Sequence, residues 1–124
     1  MNRQIIVAVL MLLFVACAEE ARPQHTVITP QAAQEMMAEE NVIILDVRTS
    51  EEFQTGHIPG AVLLPYDQIR DEAELMLTDM DQIILVYCRT GVRSNTAALT
   101  LAEMGYRSVY DFGGIMSWPG PVAG

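Results

Sequence analysis

Ile83-Ile84-Leu85-Val86-Tyr87-Cys88-Arg89-Thr90-Gly91-Val92-Arg93-Ser94-Asn95-Thr96-Ala97-Ala98-Leu99 changes character in its middle. The first five residues form an uninterrupted apolar run, the pattern of a strand covered on both faces. The last six open a helical spacing that places Ala97, Leu101 and Met104 on one stripe, with Gly105 as its stop. Strand, short loop and helix in that order are a βα unit, and the loop between them carries a thiol, two arginines and a glycine. A thiol there sits where backbone N–H groups and the helix dipole favour negative charge. Arg89 and Arg93 add full positive charges, and both effects draw a cysteine below its free pKa of about 8.5. Cys88 therefore reads as a nucleophilic thiolate and not as a merely small core residue. Gly91 lets the backbone turn close around the sulfur. The loop from Arg89 through Thr90, Gly91, Val92 and Arg93 to Ser94 offers N–H groups to an approaching anion, with a weaker hydroxyl contribution from Thr90, while Ser94 is expected to cap the helix.

Outward from this unit, strands and helices alternate. Val27-Ile28 reads as a brief edge strand. Thr29-Pro30 supplies an N-cap and a first-turn proline to a helix carrying Ala33, Met36 and Met37 and closed by Asn41. Val42 to Leu45 is a second buried strand, ended by Asp46. Thr49 and Glu52 have the spacing of a capping box, so a short helix carrying Phe53 is predicted there. Gly56 to Gly60 is a turn, Ala61 to Leu64 another strand, and Asp67 to Met76 an amphipathic helix with Ile69, Ala73 and Met76 on one face. Ser108 to Tyr110 makes a last strand, Gly113-Gly114 a tight turn, and Ile115 to Trp118 a final short helical piece. This alternation predicts an α/β fold: a central, mostly parallel sheet of about five strands flanked by helices, with its site at the carboxyl ends of the strands.

At 124 residues the chain has room for one core and one domain. Its formal net charge is −9 and it contains no lysine, which argues against nucleic acid and against anionic membrane surfaces as partners. The carboxylates are scattered over helices and turns as a solvated surface. Neither the two distant cysteines nor His25 and His57 give a metal-ligand spacing, so no metal and no cofactor are expected. The N-terminus differs from the rest. Arg3 precedes the 14-residue apolar run Ile5 to Ala18, too short for a bilayer span and suited to an export signal. Ala16-Cys17 resembles a bacterial lipobox, with Phe14 in place of the commoner leucine. The expected organisation is a signal peptide at residues 1–16, a tether at 17–25 and the domain at 26–124, with the protein exported to the periplasm and anchored through a lipidated Cys17. An ordinary signal peptide or an uncleaved anchor are the alternatives. With Cys17 removed or acylated, Cys88 is the remaining thiol and no internal disulfide forms.

Four stretches together resemble a known family: Asp46-Val47-Arg48, the run from Glu52 through Gly56-His57-Ile58-Pro59-Gly60 to Ala61, the loop Cys88 to Arg93, and Gly113-Gly114-Ile115 with Trp118. They look like the signatures of rhodanese-like domains, and the resemblance runs in order from about Val27 to Pro119. It implies a three-layer rhodanese-like fold and sulfur transfer through a persulfide on Cys88, most similar to single-domain thiosulfate sulfurtransferases. The implied partners are a small anionic donor such as thiosulfate or polysulfide and a thiol, cyanide or thioredoxin-like acceptor, with the protein a monomer that meets membrane only through its lipid. Related phosphatases and arsenate reductases have a cysteine loop one residue longer than the four residues between Cys88 and Arg93, and many place histidine where Tyr87 stands. A non-enzymatic persulfide carrier or binding module is the remaining alternative. Asp46 and Arg48 are expected to tie the site's architecture together, with Arg48 free to pair with Glu52. His57 reads as fold-holding and Trp118 as packing near the rim.

Overall fold

Ile84, Val86 and Cys88 face one side of the central strand, β4 (Ile83–Cys88), while Ile83, Leu85 and Tyr87 face the other. Both faces are covered, which is why the sequence there is apolar without alternation. The computed structural model describes residues 24–124. Within them β4 is flanked by β2 (Val42–Asp46) and β5 (Ser108–Gly114), with β3 (Val62–Leu63) and β1 (Thr26–Val27) at the edges. The order is β1-β5-β4-β2-β3 and every pairing is parallel.

One layer is built by α3 (Ile69–Met76) and α4 (Val92–Glu103). Their Ile69, Ala73, Ala97, Ala98 and Leu101 pack with Leu45, Ile84 and Val86 from the sheet. The opposite layer is built by α1 (Pro30–Met37), whose Ala33 packs with Ile58, Leu85, Tyr87 and Phe112. Each fully buried Leu or Ile contributes about 1.5–3 kcal/mol by leaving water. The short α2 (Ser50–Thr55) buries no residue and is held by its own ends instead. Thr49 accepts from the Glu52 N–H while the Glu52 carboxylate accepts from the Thr49 N–H, the predicted capping box. Among the described residues no helix is long and apolar enough to cross a membrane.

Several boundaries differ from the sequence reading, each for a local reason. α1 stops at Met37 rather than Asn41, because the N–H groups of Ala38 and Glu39 turn to carbonyls three residues back, Glu35 at 3.3 Å and Met36 at 3.1 Å, tightening the last turn, and Asn41 then takes a left-handed backbone (φ 67°). β1 lies one residue earlier than Val27-Ile28, although Ile28 still donates its N–H to the Asp111 carbonyl at 2.9 Å. Gly113-Gly114 is not a tight turn. β5 runs through it with a bulge, since Val86 pairs with Asp111 but Cys88 pairs with Gly114, so β5 uses one residue more than β4 over the same span. Gly113, at φ 91°, supplies the positive φ there. Ser94 does not cap α4. Gly91 is the N-cap, at φ 106°, and Ser94 lies inside the first turn.

Candidate active site: the Cys88 loop

Cys88 ends β4 at the carboxyl edge of the sheet, fully buried, and Val92 starts α4 four residues later. The chain reverses in between by folding over the sulfur. Gly91 donates its N–H to Sγ at 3.0 Å, and the Ser94 hydroxyl oxygen lies 3.5 Å from Sγ. That hydroxyl also donates to the Gly91 carbonyl at 3.0 Å, so Ser94 ties the loop to the sulfur it surrounds. Burial pushes the Cys88 thiol up. The Ser94 hydroxyl and the backbone N–H groups of Ser94, Gly91 and Thr90 outweigh it and hold the thiol below its ordinary value. The expected depression is therefore present, but its leading sources are hydrogen bonds and not the arginine charges. No cluster of three or more metal-ligating side chains occurs among the described residues.

The loop keeps its shape because β5 is pressed against it. A Cβ on Gly114 would collide with the Arg89 carbonyl and come within 2.6 Å of the Thr90 Cα. Only glycine allows that approach. The Met116 N–H donates to the same Arg89 carbonyl at 3.3 Å, securing the loop from the other side of the bulge.

The two arginines have different fates. Arg89 is exposed and makes no ion pair with any described residue. Arg93 is held by Glu52 across the mouth, Nη1 to Oε1 at 2.7 Å and Nη2 to Oε2 at 2.9 Å. That fork, with the capping hydrogen bonds of Thr49 at the same carboxylate, brings the Glu52 pKa down to about 2. The pairing of Arg48 with Glu52 that the sequence left open does not form. Arg48 lies against Asp46, Nη2 to Oδ2 at 2.7 Å, and donates to the Gly56 carbonyl at 2.6 Å.

Asp46 and Arg48 form part of a buried network beneath the loop. The Tyr87 hydroxyl donates to Asp46 Oδ2 at 2.7 Å and accepts the Ile58 N–H at 3.1 Å. No buried side-chain nitrogen or oxygen among the described residues lacks a partner. The structure thus places Cys88, Gly91 and Ser94 together, with Arg89, Thr90 and Val92 exposed on the loop and Arg93 at its edge. Sequence reading missed the pairing of Glu52 with Arg93, 41 residues apart, and the hydroxyl role of Tyr87, whose partners Asp46 and Ile58 are 41 and 29 residues away. For Gly114 the adjacent glycines were a signal, misread as a turn. His57 is fold-holding: its ring stacks on Phe53 at 3.8 Å and Nδ1 meets the Phe53 carbonyl at 2.9 Å. Trp118 packs on Phe112. Cys17 and the other residues before 24, on which the expected signal peptide and most of the expected tether fall, lie outside the described residues.

Comparison with known proteins agrees with this arrangement. The family model described as the rhodanese-like domain matches residues 29–120. Thiosulfate sulfurtransferase GlpE of Actinobacillus succinogenes is 37% identical over 97 residues, covering 75% of this chain and 83% of that protein. Thiosulfate sulfurtransferase PspE of Escherichia coli is 34% identical over 71 residues, covering 57% and 68%. Among solved structures, a rhodanese with anions from E. coli aligns at TM-score 0.63 and 30% identity, covering 66% of this chain and 96% of that one. A rhodanese-related protein from Thermoplasma volcanium aligns at TM-score 0.69 and 28% identity, covering 79% and 97%. With its parallel five-stranded sheet, its cysteine loop at the carboxyl edge and these relatives, the chain belongs to the rhodanese-like sulfurtransferase family.

Proposed function

We propose that this protein moves a sulfane sulfur from a small anionic donor such as thiosulfate or polysulfide to a thiol, cyanide or thioredoxin-like acceptor, through a persulfide on Cys88. The observation that carries the reading is the buried sulfur of Cys88 at the mouth of a helix, accepting the Gly91 N–H and lying beside the Ser94 hydroxyl, with its thiol held below the ordinary value. In the first half the thiolate attacks the outer sulfur of the donor. A new S–S bond forms at Sγ, the donor's own S–S bond breaks, and sulfite leaves with the electron pair. In the second half the acceptor attacks the outer sulfur of the persulfide, that S–S bond breaks, and the pair returns to Cys88. No outside oxidant or reductant is consumed in either half.

The loop residues divide the work. N–H groups from Arg89 to Ser94 stabilise the thiolate and then the persulfide anion, and Arg89 offsets charge on the arriving donor. Thr90 and Val92 line the entrance. The similarity to GlpE and PspE, both thiosulfate sulfurtransferases by name, and to an E. coli rhodanese solved with anions supports an anionic donor here. Mass spectrometry tests the reading. After thiosulfate, Cys88 gains one sulfur, about 32 Da, and the Cys88→Ser variant does not, as thiol–disulfide-type exchange requires. Hydrolysis of a phosphate ester without that adduct overturns it.

The export reading is proposed on the N-terminal sequence alone. Residues 1–16 act as a lipoprotein signal and Cys17 carries the lipid, anchoring a monomeric domain in the periplasm. A diacyl mass on Cys17 is the expected result, and a mature start downstream of Cys17 refutes it.

A further inference from the structure

We propose that Glu52 sets the charge of the donor this site prefers: by holding its carboxylate against the Arg93 guanidinium, it leaves Arg89 as the loop arginine without an ion-pair partner among the described residues and favours singly charged sulfane donors over the dianion thiosulfate. The inference rests on the sulfur-transfer reading above and refines its donor class.

Arg93 lies on α4 and Glu52 on α2, and their fork closes both terminal nitrogens of the guanidinium onto one carboxylate at 2.7 and 2.9 Å. Glu52 is fixed there independently. Its Oε1 also accepts the Thr49 N–H at 3.3 Å and the Thr49 hydroxyl at 3.2 Å, so the carboxylate cannot swing away to release Arg93 without breaking the cap of α2. The pair is about a quarter exposed on each side chain, at the edge of the cysteine loop. Arg89, the other loop cation, has no ion-pair partner among the described residues.

The charge balance at the mouth then has a sign. A Cys88 thiolate meeting thiosulfate brings three negative charges together. The helix terminus and Arg89 oppose them, while the positive charge of Arg93 is matched by Glu52. A thiosulfonate or an organic persulfide presents one charge fewer with the same transferable sulfur. Because the repulsion from Glu52 scales with donor charge, its removal helps the dianion more than the monoanion.

The test compares second-order rate constants for sulfur loading of Cys88 by thiosulfate and by the methanethiosulfonate anion, followed by mass. Glu52→Gln is expected to raise the thiosulfate-to-thiosulfonate ratio by about threefold or more at low ionic strength, with the gain shrinking in salt. Glu52→Asp keeps the charge and is expected to keep the wild-type ratio. Thr49→Ala weakens the same cap without touching the charge and is likewise expected to leave the ratio alone, which separates charge from structure. If Glu52→Gln does not fold, Arg93→Gln provides the opposite sign, lowering the ratio by leaving Glu52 uncompensated. An unchanged or lowered ratio in Glu52→Gln, or a Thr49→Ala shift as large, overturns the role of Glu52 alone. Failure of both donors to load wild-type Cys88 overturns the sulfur-transfer reading and this one with it.

Discussion

Tyr87 shows how much a single buried atom carries. Its hydroxyl both donates to Asp46 and accepts the Ile58 N–H, so it joins β4, the end of β2 and the turn before β3. In Tyr87→Phe the Ile58 N–H loses its partner in a dry interior. The expected cost is about 1–3 kcal/mol, measured as a lower denaturant midpoint, with sulfur loading of Cys88 retained. Asp46 is a harder loss, because Arg48 beside it is buried and keeps its charge. Asp46→Ala is expected to destabilise by about 3–5 kcal/mol in the same measurement. Cys88 itself titrates below an ordinary thiol, so its thiolate persists as pH falls through the range where a free cysteine is already protonated. An absorbance titration of the native protein should give a midpoint below that of the unfolded chain. A midpoint at or above the unfolded value removes the hydrogen-bonded cradle from the explanation.

At the scale of elements, β5 and α4 decide whether the loop exists. α4 places Ala97, Ala98 and Leu101 against β4, which fixes the helix, and the helix start then fixes where Gly91 and Ser94 meet the sulfur. β5 closes the loop from its other side through Gly114. Gly114→Ala is expected to displace the Arg89–Thr90 backbone and to slow sulfur loading by about 100-fold, the scale of an ångström's misplacement of reacting groups. Loading at the wild-type rate in a folded Gly114→Ala protein contradicts the close approach. The helices and central strands were legible beforehand because periodicity reports burial: β4 and β2 read as continuous apolar runs, and α3 as a one-sided stripe, of which Ile69 and Ala73 are buried while Met76 is exposed and Leu77 is buried in its place. The bulge at Gly113 was not legible. Two adjacent glycines are compatible with a turn or with a bulge, and only the register against β4 tells them apart.

For the molecule as a whole, the Glu52–Arg93 pair stitches the exposed α2 to the buried α4, and it makes stability depend on acid. The Glu52 pKa is about 2 in the fold against 4.5 for the unperturbed group, so the folded state holds the carboxylate charged where the unfolded chain would protonate it. The contribution is complete above about 4.5 and is lost as pH falls through about 2. In Glu52→Gln the denaturation midpoint should fall less steeply across that window than in wild type, and an identical slope in both would show that the pair does not carry the linkage. The sequence by itself determined the α/β class, the parallel sheet, the position of Cys88 at a strand's end and the family, because each is written in local period, capping chemistry or a contiguous motif. Tertiary structure alone decided that Arg93 faces Glu52, that Arg48 turns to Asp46, that Tyr87 satisfies the turn and that Gly114 abuts the loop. Except for Arg48 and Asp46, two residues apart and already expected to act together, those contacts join residues far apart in the chain, and partners across such distances are selected by how the layers pack, which no local spacing encodes.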